Sequence, residues 1–594
     1  MASDPLGEHR AQLAARQAEV AALTRRDRAL STARLIAFVA IGAAVWLAYG
    51  PRLFPPGLIA LPAAIFFALV ILHDRTLRAR RRAERAATFY ERGIARIEDR
   101  WRGTGVFGER FDDPKHPYAR DLDLFGSGSL FELLCTARTS GGEERLADWL
   151  RAPAAPEVVR ARQAAISELR DRLALREELA LAGDDVRAEV DPRTLTEWGL
   201  APPALAHFWM RPILALLALA AIATTVGWLA FDTGWAPLVV VLALEWAAMR
   251  FLRDGTDAVT GAIGRRDQHL ALLGRLLERF EREPFESPLL VALKAKISEG
   301  GVPASRRIDE LVRLAALLLQ MQNQFFAPFG WVLCWSPQLA FAVERWRRHS
   351  GRAIPGWLDA GSELEALIAL AGYAFEHPRD PFPEIVDEAP RFDGEGLGHP
   401  LLPESRCVRN DVRLDASERL LLVSGSNMSG KSTLLRTVGV NAVLALAGAP
   451  VRATRLQLSP LQLGATLRVQ DSLAEGASRF YAEILRLRQL VELAAGRPPL
   501  LFLLDEILHG TNSHDRRLGA EAVVRGLLER GAIGLCTTHD LALAALGDSL
   551  PGAVNVHFED ELVSGELRFD YRMRPGVVRR SNALELMRAV GLEV

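Results

Sequence analysis

The chain has little cysteine and almost no lysine. Its four cysteines, Cys135, Cys334, Cys407 and Cys536, stand far apart, with no C-x-x-C pair and no histidine at metal-ligand spacing. That argues against a structural zinc site and a disulfide framework, and for a reducing cytoplasmic compartment. Lysine occurs only at Lys115, Lys294, Lys296 and Lys431, so nearly all the positive charge is arginine. An excess of either sign is missing too. The 72 basic and 73 acidic residues leave a net charge of -1, so no global electrostatic footprint argues for a nucleic acid partner. At 594 residues the chain is too long for one hydrophobic core, which implies roughly two to four domains.

Long apolar runs are present, in two pairs. Residues 35–49 and 57–72 are apolar with a short link between them, and residues 212–230 and 236–249 repeat the arrangement. Each run is near the lower length for a membrane span, roughly 17 residues. Arg25, Arg26, Arg28 and Arg34 precede the first pair and Arg75, Arg78, Arg80, Arg81, Arg82 and Arg85 follow it, whereas its tip carries only Arg52. Arg211, Arg250 and Arg253 flank the second pair, with Asp232 at its tip. By the positive-inside rule both hairpins enter from the cytoplasm and return, which predicts four spans in a multi-pass protein of the cell membrane. Burial as core helices is the competing reading. A cleaved signal peptide is not expected, because the first run starts after some thirty polar residues and a second run follows. Glu245, inside the fourth run, has to sit near an interface or pair. Residues 314–342 are nearly as apolar, but Gln320, Gln322, Asn323 and Gln324 in their middle predict a packed core helix.

Residues 1–110 thus read as a charged helix, the first hairpin and a juxtamembrane helix, and 211–252 as the second hairpin. Residues 111–210 read as mixed structure leading into helices, including a charged helical pattern over 156–190. Residues 253–395 carry helical patterns over 255–300 and 305–349 and end in a stretch rich in proline and glycine, 378–403. From 396 to 594 short β runs alternate with helices, as in an α/β domain.

That last segment carries the chemistry. The strand 420–423 feeds into Gly425, Ser426, Asn427, Met428, Ser429, Gly430, Lys431, Ser432 and Thr433, followed by an apolar helix. This is G-x-x-x-x-G-K-[ST] between a strand and a helix, the setting a phosphate-binding loop needs. The glycines let backbone N–H groups turn toward phosphate oxygens, and the helix N-terminus adds partial positive charge. Lys431 suits the β and γ phosphates of ATP, and the Ser432 hydroxyl suits Mg2+. In a chain that otherwise uses arginine, a lysine here points to a need for a compact charge. The apolar run 500–504 ends in Asp505 and Glu506, a pair suited to the Mg2+ shell and to general-base work respectively. A third strand, 533–537, ends at Thr538 and His539, and a histidine there suits γ-phosphate sensing or positioning of water.

Several of these blocks resemble the MutS family. GSNMSGKST is similar to that family's G-P-N-M-x-G-K-S-T loop, DEILHGTNSHD to its segment after the acidic pair, and TTHD to its T-T-H motif. RVQDSLAEGASRFYAE resembles the family's signature-like loop, and the resemblance implies a head-to-tail homodimer in which Ser478 acts in trans on the partner's nucleotide. Arg479 stands where the family has a small hydroxyl residue and Arg516 where it has glycine. Upstream, residues 121–150, the block ARQAAISEL, His399-Pro400 and Asn410-Asp411 look like the family's helical core and the entry to its ATPase domain. The resemblance therefore implies an α/β P-loop (ABC-type) ATPase domain, held in the cytoplasm, on a mainly α-helical core and lever region, with transmembrane helices added. DNA is the object it suggests. The N-terminal mismatch-reading domain of the repair proteins has no counterpart, since membrane hairpin and charged helix occupy its place, and the tripeptide Phe89-Tyr90-Glu91 lacks the domain that would make it a mismatch reader. Without a nuclease-like extension after Val594, cleavage of DNA is not expected. A transport ATPase and an ATP-switched membrane tether are the rival readings. Four spans are few for a translocation path, and a pure switch has no need of Glu506.

Overall fold

The computed structural model describes the chain apart from residues 1–3, 54, 183–191, 206, 264–266, 299–300, 427, 468–478, 509–511, 540–543, 545–546, 548–549, 564–565 and 579–594. Eighteen α-helices and ten strands run through the described residues. The helices are α1 (Pro5–Tyr49), α2 (Ala60–Ile97), α3 (Leu130–Leu134), α4 (Ser140–Arg151), α5 (Pro156–Arg170), α6 (Leu173–Ala180), α7 (Pro192–Leu200), α8 (Met210–Phe231), α9 (Ala236–Ile263), α10 (Asp267–Arg282), α11 (Pro288–Ile297), α12 (Ala304–Leu319), α13 (Ala327–Val332), α14 (Trp335–Ser350), α15 (Ile354–Glu376), α16 (Lys431–Ala447), α17 (Arg479–Ala494) and α18 (Ser513–Glu529). The strands are β1 (Glu384–Ile385), β2 (Phe392–Leu397), β3 (Asn410–Leu414), β4 (Leu420–Ser424), β5 (Arg455–Leu458), β6 (Gln462–Thr466), β7 (Leu500–Asp505), β8 (Ile533–Thr538), β9 (Ala553–Val563) and β10 (Glu566–Pro575). The chain divides into two compact units. One comprises residues 1–105, 173–181 and 375–378, the other the remainder.

The smaller unit is a long helical hairpin. α1 starts on Asp4, whose carboxylate accepts the Gly7 N–H at 3.0 Å, with Pro5 at its first position. α2 returns beside it. At the charged end, Arg96 pairs with the buried Glu376, and Glu177 accepts from Arg16 at 2.8 Å and from the Tyr90 hydroxyl at 2.5 Å. At the other end apolar side chains lie open, Leu35, Trp46 and Phe67 among them. Only 6 % of the apolar window of α1, and none of that of α2, is buried. These helices are therefore not core helices.

The larger unit begins its helical part with α3 and α4, capped by Ser129 and Thr139. The second hairpin, α8 and α9, also presents open apolar side chains. Three described helices are long and apolar enough to cross a membrane: α1, α2 with the turn before it, and α8. The fourth expected span falls in α9 and does not reach that standard, because Glu245, Arg250 and Arg253 all lie within the helix's first 18 residues. Glu245 is not paired either. It is fully buried, and neither carboxylate oxygen has a hydrogen-bond partner. The single helix expected over 305–349 is three pieces, α12, α13 and α14, with a short 3-10 turn at Gln320–Gln322 and a left-handed Cys334 between them.

The α/β part holds two sheets. A six-stranded sheet has the order β10-β9-β4-β8-β7-β6, parallel throughout except for the β9–β10 hairpin at its edge. A four-stranded sheet has the order β1-β5-β2-β3, and its β1 and β2 come from the stretch rich in proline and glycine. α16 is buried along nearly its whole length, packed on β7 and β8 and on α4 and α5. It is accordingly apolar all round, the composition of a helix with protein on every side. At Gly439 a Cβ would lie 2.5 Å from Leu122 and 2.8 Å from Leu503, so only glycine lets the helix sit this close.

Asp121 fastens the segment before α3 to this sheet. Its carboxylate is 2.9 Å from Arg486 on α17 and accepts the Leu467 N–H, at the end of β6, at 2.7 Å. Replacing Asp121 with alanine should lower the unfolding free energy by about 2–4 kcal/mol, the scale for stripping the partner from a buried charge and a backbone donor. Asp121→Asn should keep part of that. Denaturant unfolding of the detergent-purified protein measures both, and an unshifted Asp121→Ala midpoint would contradict the tether.

Candidate active site

β4 is buried at every residue and delivers the loop into the N-terminus of α16. Gly425 has φ 151° and Gly430 φ 105°, both in the region that favours glycine. Space is short at both. A Cβ at Gly425 would lie 2.9 Å from Ser429 Oγ and 3.1 Å from Phe558 O, and one at Gly430 would lie 3.1 Å from the Tyr571 ring. Met428 also has positive φ and is exposed. Asn427 lies outside the described residues. Lys431 Nζ donates to the carbonyls of Gly425 and Ser426, both at 2.8 Å, and lies 3.4 Å from Glu506 Oε1. The hydroxyls of Ser426 and Ser429 are buried without a hydrogen-bond partner.

The carboxylates arrive on the neighbouring strands. β7 and β8 are paired in parallel with Asp505 opposite Thr537. The Thr537 hydroxyl donates to Asp505 Oδ1 and accepts the Glu506 N–H at 3.0 Å, which fixes the pair relative to each other. Glu506 has φ 47° and Leu508 φ 60°, so the chain leaves β7 through two left-handed non-glycine residues. The Leu508 N–H donates to Glu483 on α17 at 2.5 Å. His539, the residue after β8, places Nδ1 3.2 Å from Glu506 Oε1. Glu506 is thus held between an ammonium and an imidazole. Beneath them, burial and the charge of Asp505 push the Cys536 thiol up to about 12, so it stays neutral.

A pocket of about 860 Å3 opens in front of these groups, a size that suits a nucleotide. Its polar floor is Lys431, Ser432, Thr433, Asp505 and Glu506, and its apolar wall comes from Leu397, Val408 and Phe558. His399 and Tyr571 add rings, and burial raises the pKa of the lining Cys407 thiol. The donors fit an anion. An ammonium turned onto loop carbonyls and two unpartnered hydroxyls are groups that phosphate oxygens would satisfy. Ser432 and Asp505 share that floor and offer the hard oxygens that suit Mg2+.

Of the residues expected from sequence, Gly425, Gly430, Lys431, Ser432, Thr433, Asp505, Glu506 and His539 gather at one edge of the sheet, with Ser426, Met428 and Ser429 in the loop. Ser478 lies outside the described residues, directly ahead of α17. Arg516 donates to the Leu508 carbonyl at 3.2 Å. Sequence reasoning passed over Thr537, Glu483 and Tyr571. Thr537 had a signal, a hydroxyl two residues before His539 at a strand end. Tyr571 had none, since it reaches the loop only because β10 bulges between Phe569 and Met573.

Residues 421–593 match MutS domain V. The chain is 36 % identical over 242 residues to endonuclease MutS2 of Thermus thermophilus, a match covering 40 % of this chain and 31 % of that protein. It is 35 % identical over 294 residues to the DNA mismatch repair protein MutS of Natronomonas pharaonis, covering 48 % and 32 %, and 31 % identical over 258 residues to that of Brevibacillus brevis, covering 42 % and 29 %. The chain spans about a third of the length of the curated relatives it matches. The matched domain contains the six-stranded sheet that carries Lys431, Asp505 and His539, and it is over this domain that the chain is similar to the MutS family.

Proposed function

We propose that this chain is a membrane-anchored ATPase that works as a homodimer, with one nucleotide site per subunit completed by the partner. The observation that carries the hydrolytic reading is Glu506, set between Lys431 and His539 at the mouth of the phosphate-binding loop. The β and γ phosphates of ATP take over the Lys431 donors that loop carbonyls now accept, which frees Glu506 from the ammonium. Glu506 then accepts a proton from water as its oxygen attacks the γ phosphorus and the bond to the ADP oxygen breaks. His539 keeps the carboxylate oriented. Ser432 and Asp505 would hold Mg2+, which would supply neutralisation of the phosphate charge.

Anchoring rests on the open apolar lengths of α1, α2 and α8 and on the arginines at their feet. α9 is the return leg of the second hairpin. DNA is the partner that the relatives' names suggest, and binding to homoduplex, mismatched and branched DNA across a salt series tests it.

Replacing Lys431 with alanine should abolish tight ATP binding, while Glu506→Gln should retain binding and slow steady-state hydrolysis at least about a hundredfold. Normal turnover in Glu506→Gln would remove the general base. For topology, cysteines placed at Arg52 and Asp232 should react with a membrane-impermeant reagent from outside and one at Gly394 should not. Recovery of the intact chain from the soluble fraction without detergent would end the membrane reading. The sheet supports the dimer reading, since bound phosphates would be covered from one side only and the γ phosphate left open to water until a helix N-terminus and a hydroxyl cap it. Mixing Ser478→Arg with Lys431→Ala subunits should then restore roughly one working site per heterodimer, whereas each variant alone is inactive. Full activity of Ser478→Arg by itself would refute trans action.

A further inference from the structure

We propose that α13 and the turns on either side of it embed in the cytoplasmic leaflet of the membrane beside the second hairpin, as a dip that enters and leaves on the same side. This rests on the membrane reading of that hairpin. Residues 314–343 contain no Asp, Glu, Lys or Arg, while Arg306, Arg307 and Arg313 stand before them and Arg345, Arg347 and Arg348 after them. The pattern is that of the two hairpins, an uncharged interior on arginine feet. The length is not. The uncharged part of α14, residues 335–343, rises about 13 Å, under half of a hydrocarbon core of about 30 Å, so the element turns back inside one leaflet.

Position fixes the depth. α14 packs on α8 and α9 and α13 on α8, and Gln338 donates to the carbonyl of Arg211, at the cytoplasmic foot of α8. α14 runs inward from there to Trp335, about 4.5 Å deeper, and α13 lies beyond it. At this level the surface is apolar and open. Phe325 is 88 % exposed and Phe329 68 %, continuous with the open apolar side chains of α8. On the protein side α14 packs on α9, which carries the buried Glu245.

Asn323, one of the amides that predicted a packed core helix, has a different task. Backbone at membrane depth needs its polar groups satisfied from within. Asn323 Oδ1 accepts the Phe325 N–H at 2.9 Å, and its carbonyl accepts those of Phe326 at 3.0 Å and Ala327 at 2.9 Å. The Trp335 indole N–H donates to the Leu317 carbonyl at 2.9 Å, tying α12 to α14 across the turn.

The test uses the full chain with its four native cysteines replaced by alanine, reconstituted in phosphatidylcholine bilayers. A fluorophore sensitive to its surroundings is placed at Phe325→Cys, with Phe329→Cys as the second variant should the first fail to fold. Leu219→Cys in α8 and Val291→Cys in α11 are the references. Lipids carrying a nitroxide at a shallow or a deep acyl position are the quenchers. The expected result is loss of emission at 325 and 329 to the shallow nitroxide, at 219 to the deep one, and no loss at 291. Quenching at 219 with 325 and 329 open to aqueous iodide like 291 overturns the dip and leaves the hairpin standing. No quenching at 219 overturns the membrane reading itself.

Discussion

The Glu506 carboxylate lies 3.4 Å from Lys431 Nζ and 3.2 Å from His539 Nδ1, and three strands have to end at one level for that to happen. β4, β8 and β7 are adjacent and parallel, with Ser424 opposite Thr538 and Asp505 opposite Thr537. Parallel pairing is what sets the loop after β4, the carboxylates after β7 and the histidine after β8 on one edge. The register is held by burial, since β4, β8 and all of β7 but Asp505 are buried. A one-residue slip would turn Asp505 and Thr537 away from the site.

A second constraint acts at the other end of the chain. Apolar lengths as open as those of α1, α2 and α8 are unfavourable in water, and under the proposed anchoring their solvent differs from that of the sheets. α16 is buried on nearly all sides by β7, β8, α4 and α5, whereas the more apolar α8 is covered mainly along the side that meets α9, α13 and α14. The flanking arginines fit the proposed anchoring, in which the ends of such helices stay in water while their middles leave it.

The loop and the strand-end acids were legible because their chemistry forces a local pattern, glycines where φ must be positive and carboxylates where an apolar strand ends. The groups that position them were not. Tyr571 reaches Gly430 through a bulge in a distant hairpin, and Thr537 looks like any β-branched strand residue until its register with Asp505 is known. The helical region was legible as helix but not in its breaks. Residues 305–349 have a helical pattern throughout, which does not reveal the turn at Asn323 or the left-handed Cys334 that divide them. Glu245 shows the same limit, since a carboxylate in an apolar helix is expected to find a partner and here finds only cover.

Glu483 connects the site to what lies outside it. Its carboxylate is buried on the first turn of α17 and accepts the N–H of Leu508, two residues beyond Glu506 and itself in a left-handed conformation. A backbone donor in that turn has no regular partner, so the bond from α17 is what satisfies it. The segment 468–478 runs directly into α17, and Arg486, farther along the same helix, is tied to Asp121. Whatever moves the start of α17 therefore acts on the turn that aims Glu506, and whatever displaces Glu506 acts back on α17. On the proposed dimer, a subunit that acts through residues 468–478 would act on the segment leading into α17, whose Glu483 holds the turn two residues beyond Glu506, so closure and the alignment of Glu506 would be coupled.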